Sequence, residues 1–134
     1  MKFKDCMAMR FRRLGRLMSN RYNEHLRSHG IDISLLNVLF AVAGNPGIHQ
    51  SEIGKRLILE RSTLSRDLQR LKKMGLIDTT KVDGYKSLSL HLTKQGKAKV
   101  ESMREDWDDI QKQIEDKVGS AISAGIRRLE QALL

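Results

Sequence analysis

Apolar residues recur every three or four positions near the start of the chain, at Met7, Phe11, Leu14, Met18, Tyr22 and Leu26. That spacing lines one face of a helix and predicts a long amphipathic helix over residues 4–28. Gly30 is placed to stop it. Asp32 can cap a second helix in which Leu35, Leu36, Val38, Leu39, Phe40, Val42 and Ala43 are apolar nearly all round, the pattern of a buried helix. Gly44, Pro46 and Gly47, which include the single proline of the chain, then break the pattern.

Two short amphipathic segments follow. In IHQSEIGKRLIL the inward positions are Ile48, Ile53 and Leu57; in ERSTLSRDLQRLKKMG, Leu64, Leu68 and Leu71 fall at intervals of four and three. After Gly75 the period changes to two. Leu88, Leu90 and Leu92 alternate with Ser89 and His91 around an Asp83-Gly84 turn, which predicts a β-hairpin. From Thr93 the helical period returns as far as Val118, and after Gly119 a last helix ends in Leu129, Leu133 and Leu134.

A hairpin directly after two closely spaced short helices is a winged helix-turn-helix. The expected fold class is therefore mainly α with a small β-hairpin wing, the winged unit being flanked by terminal helices. At 134 residues the chain has room for one core. We expect one compact unit with an N-terminal arm at residues 1–30, a winged head at 31–93 and C-terminal helices at 94–134. The arms carry apolar stripes wider than a lone head could cover, which points to a homodimer seam with Met7, Phe11, Leu129, Leu133 and Leu134 as its candidates.

Charge narrows the choice of partner. The formal net charge is +9, which favours a polyanion: nucleic acid, an anionic membrane surface or an acidic protein. The excess is concentrated in two places, residues 1–30, with eight basic and two acidic side chains, and residues 61–75, with five and one. Aromatic residues are only 4%, too few for the stacking platforms of single-strand and RNA binders, so duplex DNA moves ahead. A single cysteine excludes an internal disulfide and a Cys-cluster zinc site and fits a reducing, cytoplasmic setting, and no apolar run approaches transmembrane length.

The second basic segment has the chemistry of a DNA-reading helix. Behind it lies the leucine stripe; in front lie Ser62, Thr63, Ser65, Arg66, Gln69 and Arg70. Hydroxyls near a helix N-terminus can hold phosphate, while Arg and Gln can donate to guanine and adenine edges in the major groove. Lys73 is placed for the phosphate backbone, and the hairpin tip offers Lys81, Tyr85 and Lys86 to backbone or minor groove.

SEIGKRLILERSTLSRDLQRLKKMGLID, followed by a hairpin and LTKQGKAKV, resembles the multiple-antibiotic-resistance regulator (MarR) family over almost the whole chain. The most specific parts are ERSTLSRDLQRLKKMGLI and LHLTKQGKA. The resemblance implies a triangular homodimer whose first and last helices interlock, holding two winged heads over successive major grooves of a pseudo-palindromic operator. It also implies a repressor released by a small-molecule inducer or an oxidant. The chain departs from the family twice. Ile58 stands where a glycine usually ends the helix before the reading helix, and the wing carries Asp83-Gly84-Tyr85-Lys86 in place of an Asp-Arg-Arg type sequence, which leaves Lys86 as the substitute cation.

Other residues offer candidate chemistry outside the winged head. Cys6, with Lys2, Lys4 and Arg10 nearby in sequence, is a candidate redox sensor, although a lone cysteine in an apolar stripe is more often simply packed. His25 and His29 are one helical turn apart but lack a clear third ligand, so no metal is expected. Glu105, Asp106, Asp108 and Asp109 read as a solvated face. No nucleophile-base pairing, phosphate loop or dinucleotide fingerprint is present, so neither an enzyme nor a cofactor is expected. The rival functions are a nonspecific DNA-coating protein, a winged-helix protein-interaction module and a peripheral membrane binder.

Overall fold

The interruption of helical periodicity at residues 76–92 divides the chain into an all-helical frame and one hairpin, and the computed structural model, which describes residues 2–84 and 86–134, has that division. Helix α1 (Met7–Leu26) lies between 3-10 turns at Phe3–Asp5 and Arg27–His29, so the winding is close to the expected length but tightens at both ends. Gly30, at φ 68°, turns the chain out of it.

Helix α2 (Ile33–Gly44) starts where Asp32 accepts a hydrogen bond from the Leu35 amide at 3.0 Å, and Asn23 of α1 accepts the Ile33 amide at 2.7 Å. Two of the amides that a helix start leaves unpaired are thereby satisfied. Leu35, Leu36, Val38, Leu39 and Val42 of α2 are buried, which explains why its sequence shows no polar face broad enough to be amphipathic. It runs through the middle of a core completed by Leu26, Ile53, Leu71, Leu90 and Met103, all with no exposed surface.

Helices α3 (Gln50–Leu57) and α4 (Arg61–Lys73) follow, then strands β1 (Ile77–Lys81) and β2 (Leu88–Leu92), paired antiparallel with Ile77 opposite Leu92 and Thr79 opposite Leu90. A third backbone segment joins the hairpin, which the alternation pattern had not revealed. The Leu90 amide donates to the Ile48 carbonyl at 2.8 Å, and the Gly47 amide to the Leu90 carbonyl at 2.9 Å. The segment before α3 thus closes the inner edge of the wing.

Helix α5 (Lys94–Val118) is capped by Thr93, whose hydroxyl accepts the Gly96 amide at 2.9 Å and donates to the Gly75 carbonyl at 2.6 Å. One side chain therefore starts α5 and fastens it to the turn after α4. Along its length α5 lies antiparallel to α1: Tyr22 donates to Gln111 Oε1 at 2.7 Å, and His29 Nε2 is 2.6 Å from Asp106 Oδ2. With both helices rising about 1.5 Å per residue, this registration carries the first two turns of α1 past the end of α5. Helix α6 (Ala121–Leu133) contains no buried residue.

One sequence expectation changes at the α1–α5 contact. Asp106 leaves the solvated acidic face to pair with His29. His25 bonds instead to the Arg21 carbonyl at 3.1 Å, so the two histidines do not converge on a common point. Among the described residues no single helix is long and apolar enough to cross a membrane, and no group of three or more His, Cys, Asp or Glu side chains is placed to hold a metal.

Candidate nucleic-acid interface

Helix α4 is built with two unlike sides. Leu64, Asp67, Leu68 and Leu71 are buried against the head. On the opposite side Ser62, Arg66, Gln69 and Lys73, spaced by four, three and four residues, form one exposed line along the helix. Arg66 and Gln69 have no hydrogen-bond or ion-pair partner among the described residues. Thr63 and Ser65 flank the line and are half-buried. A bare helix about 10–12 Å across matches the width of the B-DNA major groove.

Arg70 behaves differently from its sequence neighbours. The sequence places it among the groove-facing residues, but its guanidinium donates to Asp32 at 3.1 Å and lies 3.7 Å from Asp67. Asp67 in turn accepts from the Ser34 hydroxyl at 2.5 Å. Sequence reasoning missed this cluster, because Asp67 is the one acid in a basic run and its burial shows only once α2 is placed behind it. Lys72 is also engaged, donating to Thr79 of the wing at 3.2 Å.

A groove of about 1290 Å³ runs between α3, α4 and the wing, and Gln50, Lys55, Arg61, Ser65 and Lys86 are among the residues that line it. The groove brings Lys86 to the same concavity as the start of α4. Lys81 is exposed at the end of β1; Tyr85 lies outside the described residues. The turn that sets α3 against α4 is made at Ile58, with φ 52° and ψ 50°, the left-handed conformation that glycine usually supplies. The Leu59 amide still closes on the Gly54 carbonyl at 3.0 Å, so the tight turn forms without glycine.

Away from α4, a cleft of about 340 Å³ opens between the end of α2, β2 and the start of α5, with Val42, Pro46, His91, Lys97 and Arg104 in its wall. Cys6 occupies the N-cap position of α1 and is half-buried, with no side-chain capping bond. Of the candidate seam residues, Met7, Phe11, Leu133 and Leu134 are exposed, from 44% at Phe11 to 89% at Leu134, and Leu129 is half-buried.

Residues 29–84 match the MarR family. Among solved structures the chain is similar to the Mycobacterium tuberculosis transcriptional regulator MosR, with 24% identity, 98% of each chain covered and a TM-score of 0.88. It is also similar to the PcaV transcriptional regulator from Streptomyces coelicolor, solved with its natural ligand, at 20% identity over 99% of this chain and 94% of that one, TM-score 0.86. The Staphylococcus aureus MepR–DNA complex matches at 18% identity over 96% of each chain, TM-score 0.82. No curated protein gives a sequence match. All three structures share the fold of this chain over 94% or more of their own length.

Proposed function

We propose that the chain is a member of the MarR family, whose match falls on its winged head, and that it is a sequence-specific, duplex-DNA-binding transcription regulator acting as a homodimer. The observation that carries the reading is the exposed line of Ser62, Arg66, Gln69 and Lys73 on a helix whose back is buried. Arg66 and Gln69 are the base-reading side chains: a guanidinium donates in pairs to guanine, a carboxamide exchanges bonds with adenine. Ser62, Thr63, Ser65 and Lys73 hold phosphates and set the docking angle, and Lys81 and Lys86 of the wing add sequence-independent, salt-sensitive affinity. Two DNA complexes among the similar structures, of MosR and MepR, accord with this use of the fold.

Dimerisation follows from what the chain leaves uncovered. The first turns of α1 and all of α6 present Met7, Phe11, Leu133 and Leu134 to solvent, and a second copy covers both at once by exchanging arms. Two heads joined in this way read two half-sites related by a two-fold axis. The protein is a repressor in this reading. A small molecule seated in the cleft between head and α5 alters the spacing of the heads and lowers operator affinity. Cys6, at the root of the dimer arm, is the place where an oxidant would act on the same seam.

Selection of bound sequences from a random duplex pool tests the proposal. Recovery of an inverted repeat with half-sites about one helical turn apart is the expected result. A pool that stays unenriched, with equal binding to every duplex at fixed salt, would instead identify a DNA-coating protein, and absence of duplex binding would leave the head as a protein-docking module.

A further inference from the structure

The four-residue cluster behind α4 links the helix proposed to read DNA to the start of the core helix. Asp32 uses one carboxylate oxygen to cap α2 and the other to receive Arg70. Asp67, 5% exposed, is fixed from behind by the Ser34 hydroxyl and faces the same guanidinium. Arg70 itself stays half exposed, at the edge of the surface that carries Arg66 and Gln69. Its guanidinium therefore sits where a DNA phosphate could reach it, with two carboxylates already competing for it.

We propose that Asp32 is a specificity-determining residue: it withholds Arg70 from the sugar-phosphate backbone, so that duplexes of arbitrary sequence do not recruit this cation. The inference rests on the DNA-reading role given above to α4. An arginine on a phosphate releases about one counterion whatever the base sequence. A freed Arg70 strengthens binding to every duplex alike and so narrows the margin between operator and random DNA, whereas a held Arg70 leaves discrimination to Arg66 and Gln69. Asp67 supplies the buried seat against which Arg70 is held, and acts as a positioning residue through it.

Asp32→Asn tests the proposal, since asparagine caps a helix as well as aspartate does but offers Arg70 no carboxylate. Full-length wild type and D32N are titrated with a random-sequence duplex and with the duplex recovered by selection, between about 50 and about 200 mM salt. Because each head of the dimer carries one freed Arg70, D32N should show a salt dependence on random duplex steeper by about two units, so that lowering the salt over this range strengthens its binding about twelvefold more than that of wild type. Its preference for the selected duplex should fall, and in an Arg70→Gln background the substitution should change neither quantity. Asp32→Ser, which also preserves the cap, should reproduce the result and keeps the test open if asparagine disturbs folding. Equal salt slopes for D32N and wild type overturn the proposal, as does a gain that persists without Arg70, because that gain would come from net charge alone. If wild type binds no duplex at any salt, the role of α4 fails first, an outcome distinct from unchanged slopes on DNA that does bind.

Discussion

Gly96, in the first turn of α5, lies with its Cα against the backbone carbonyl of Leu76, so closely that a Cβ there would be driven into the oxygen. The contact locks the long helix to the root of the wing, and the Thr93 hydroxyl bonds to the Gly96 amide beside it. Backbone cannot yield as a side chain can. Gly96→Ala should therefore cost about 2–3 kcal/mol of unfolding free energy, measured by urea denaturation, despite the better helix propensity of alanine. A stability equal to wild type would mean that the approach relaxes freely.

Ile58 holds a left-handed conformation with 76% of its surface exposed, so it bears backbone strain while burying little. Ile58→Gly removes the clash of Cβ with its own backbone and adds flexibility to the unfolded chain. The first effect is the larger for a β-branched residue, and the substitution should raise stability by roughly 0.5 to 1 kcal/mol. Thermal unfolding of the two proteins in parallel decides the sign.

Burial holds the Tyr22 phenol above its usual value of 10.0, with Glu115 adding to the shift. The neutral form is the one the fold accommodates, donating to Gln111. Because the folded pKa exceeds the unfolded one, this contribution to stability is complete below about pH 10 and is lost as pH rises through the folded value. Ultraviolet titration should show one tyrosine ionising late, and Tyr22→Phe should abolish that step. A Tyr22 that titrates at the ordinary pH would refute the burial argument.

Phe11→Glu and Leu129→Glu place charges in the proposed seam, where a buried unpaired carboxylate is strongly unfavourable. Sedimentation should shift each variant from dimer toward monomer. Operator affinity should fall by roughly tenfold or more while α4 is unaltered, because one head alone spans a single half-site. Variants that remain dimeric with full affinity would place the seam elsewhere.

Arg66→Ala removes an exposed cation of α4 that has no partner among the described residues, and should cost about 1–3 kcal/mol on the selected operator, with relaxed preference at one base position. On random duplex the loss should be smaller and should appear mainly as a reduced salt slope. Equal losses on both DNAs, read by anisotropy titration at one ionic strength, would assign Arg66 to the backbone.

The fold was legible because each element carries its period openly. Leu64, Leu68 and Leu71 mark the back of α4; Leu88, Leu90 and Leu92 mark the alternation of β2; and Asp32 and Gly30 punctuate α2 and the end of the first helical segment. What could not be read were partnerships across the chain. Arg70 looks the same in sequence as Arg66, yet one is paired and the other is not, because only one lies beside the start of α2. Asp106 could not be told from Asp108 or Asp109 until α1 was laid along α5 and brought His29 to it. The pairing of Ile48 with Leu90 was hidden for the same reason, since a single backbone bridge leaves no periodic trace.

That pairing has a mechanical consequence. Leu90 gives its amide to Ile48 and its carbonyl to Gly47, so the hairpin is riveted to the base of α3, and Lys72 pins α4 to its outer strand. The hairpin, α3 and α4 are thereby cross-linked into one block, and Thr93 and Gly96 fasten that block to the start of α5. A change of direction at the root of α5 would therefore be handed along β2 toward Lys86 at the far end of the hairpin, rather than absorbed at the joint.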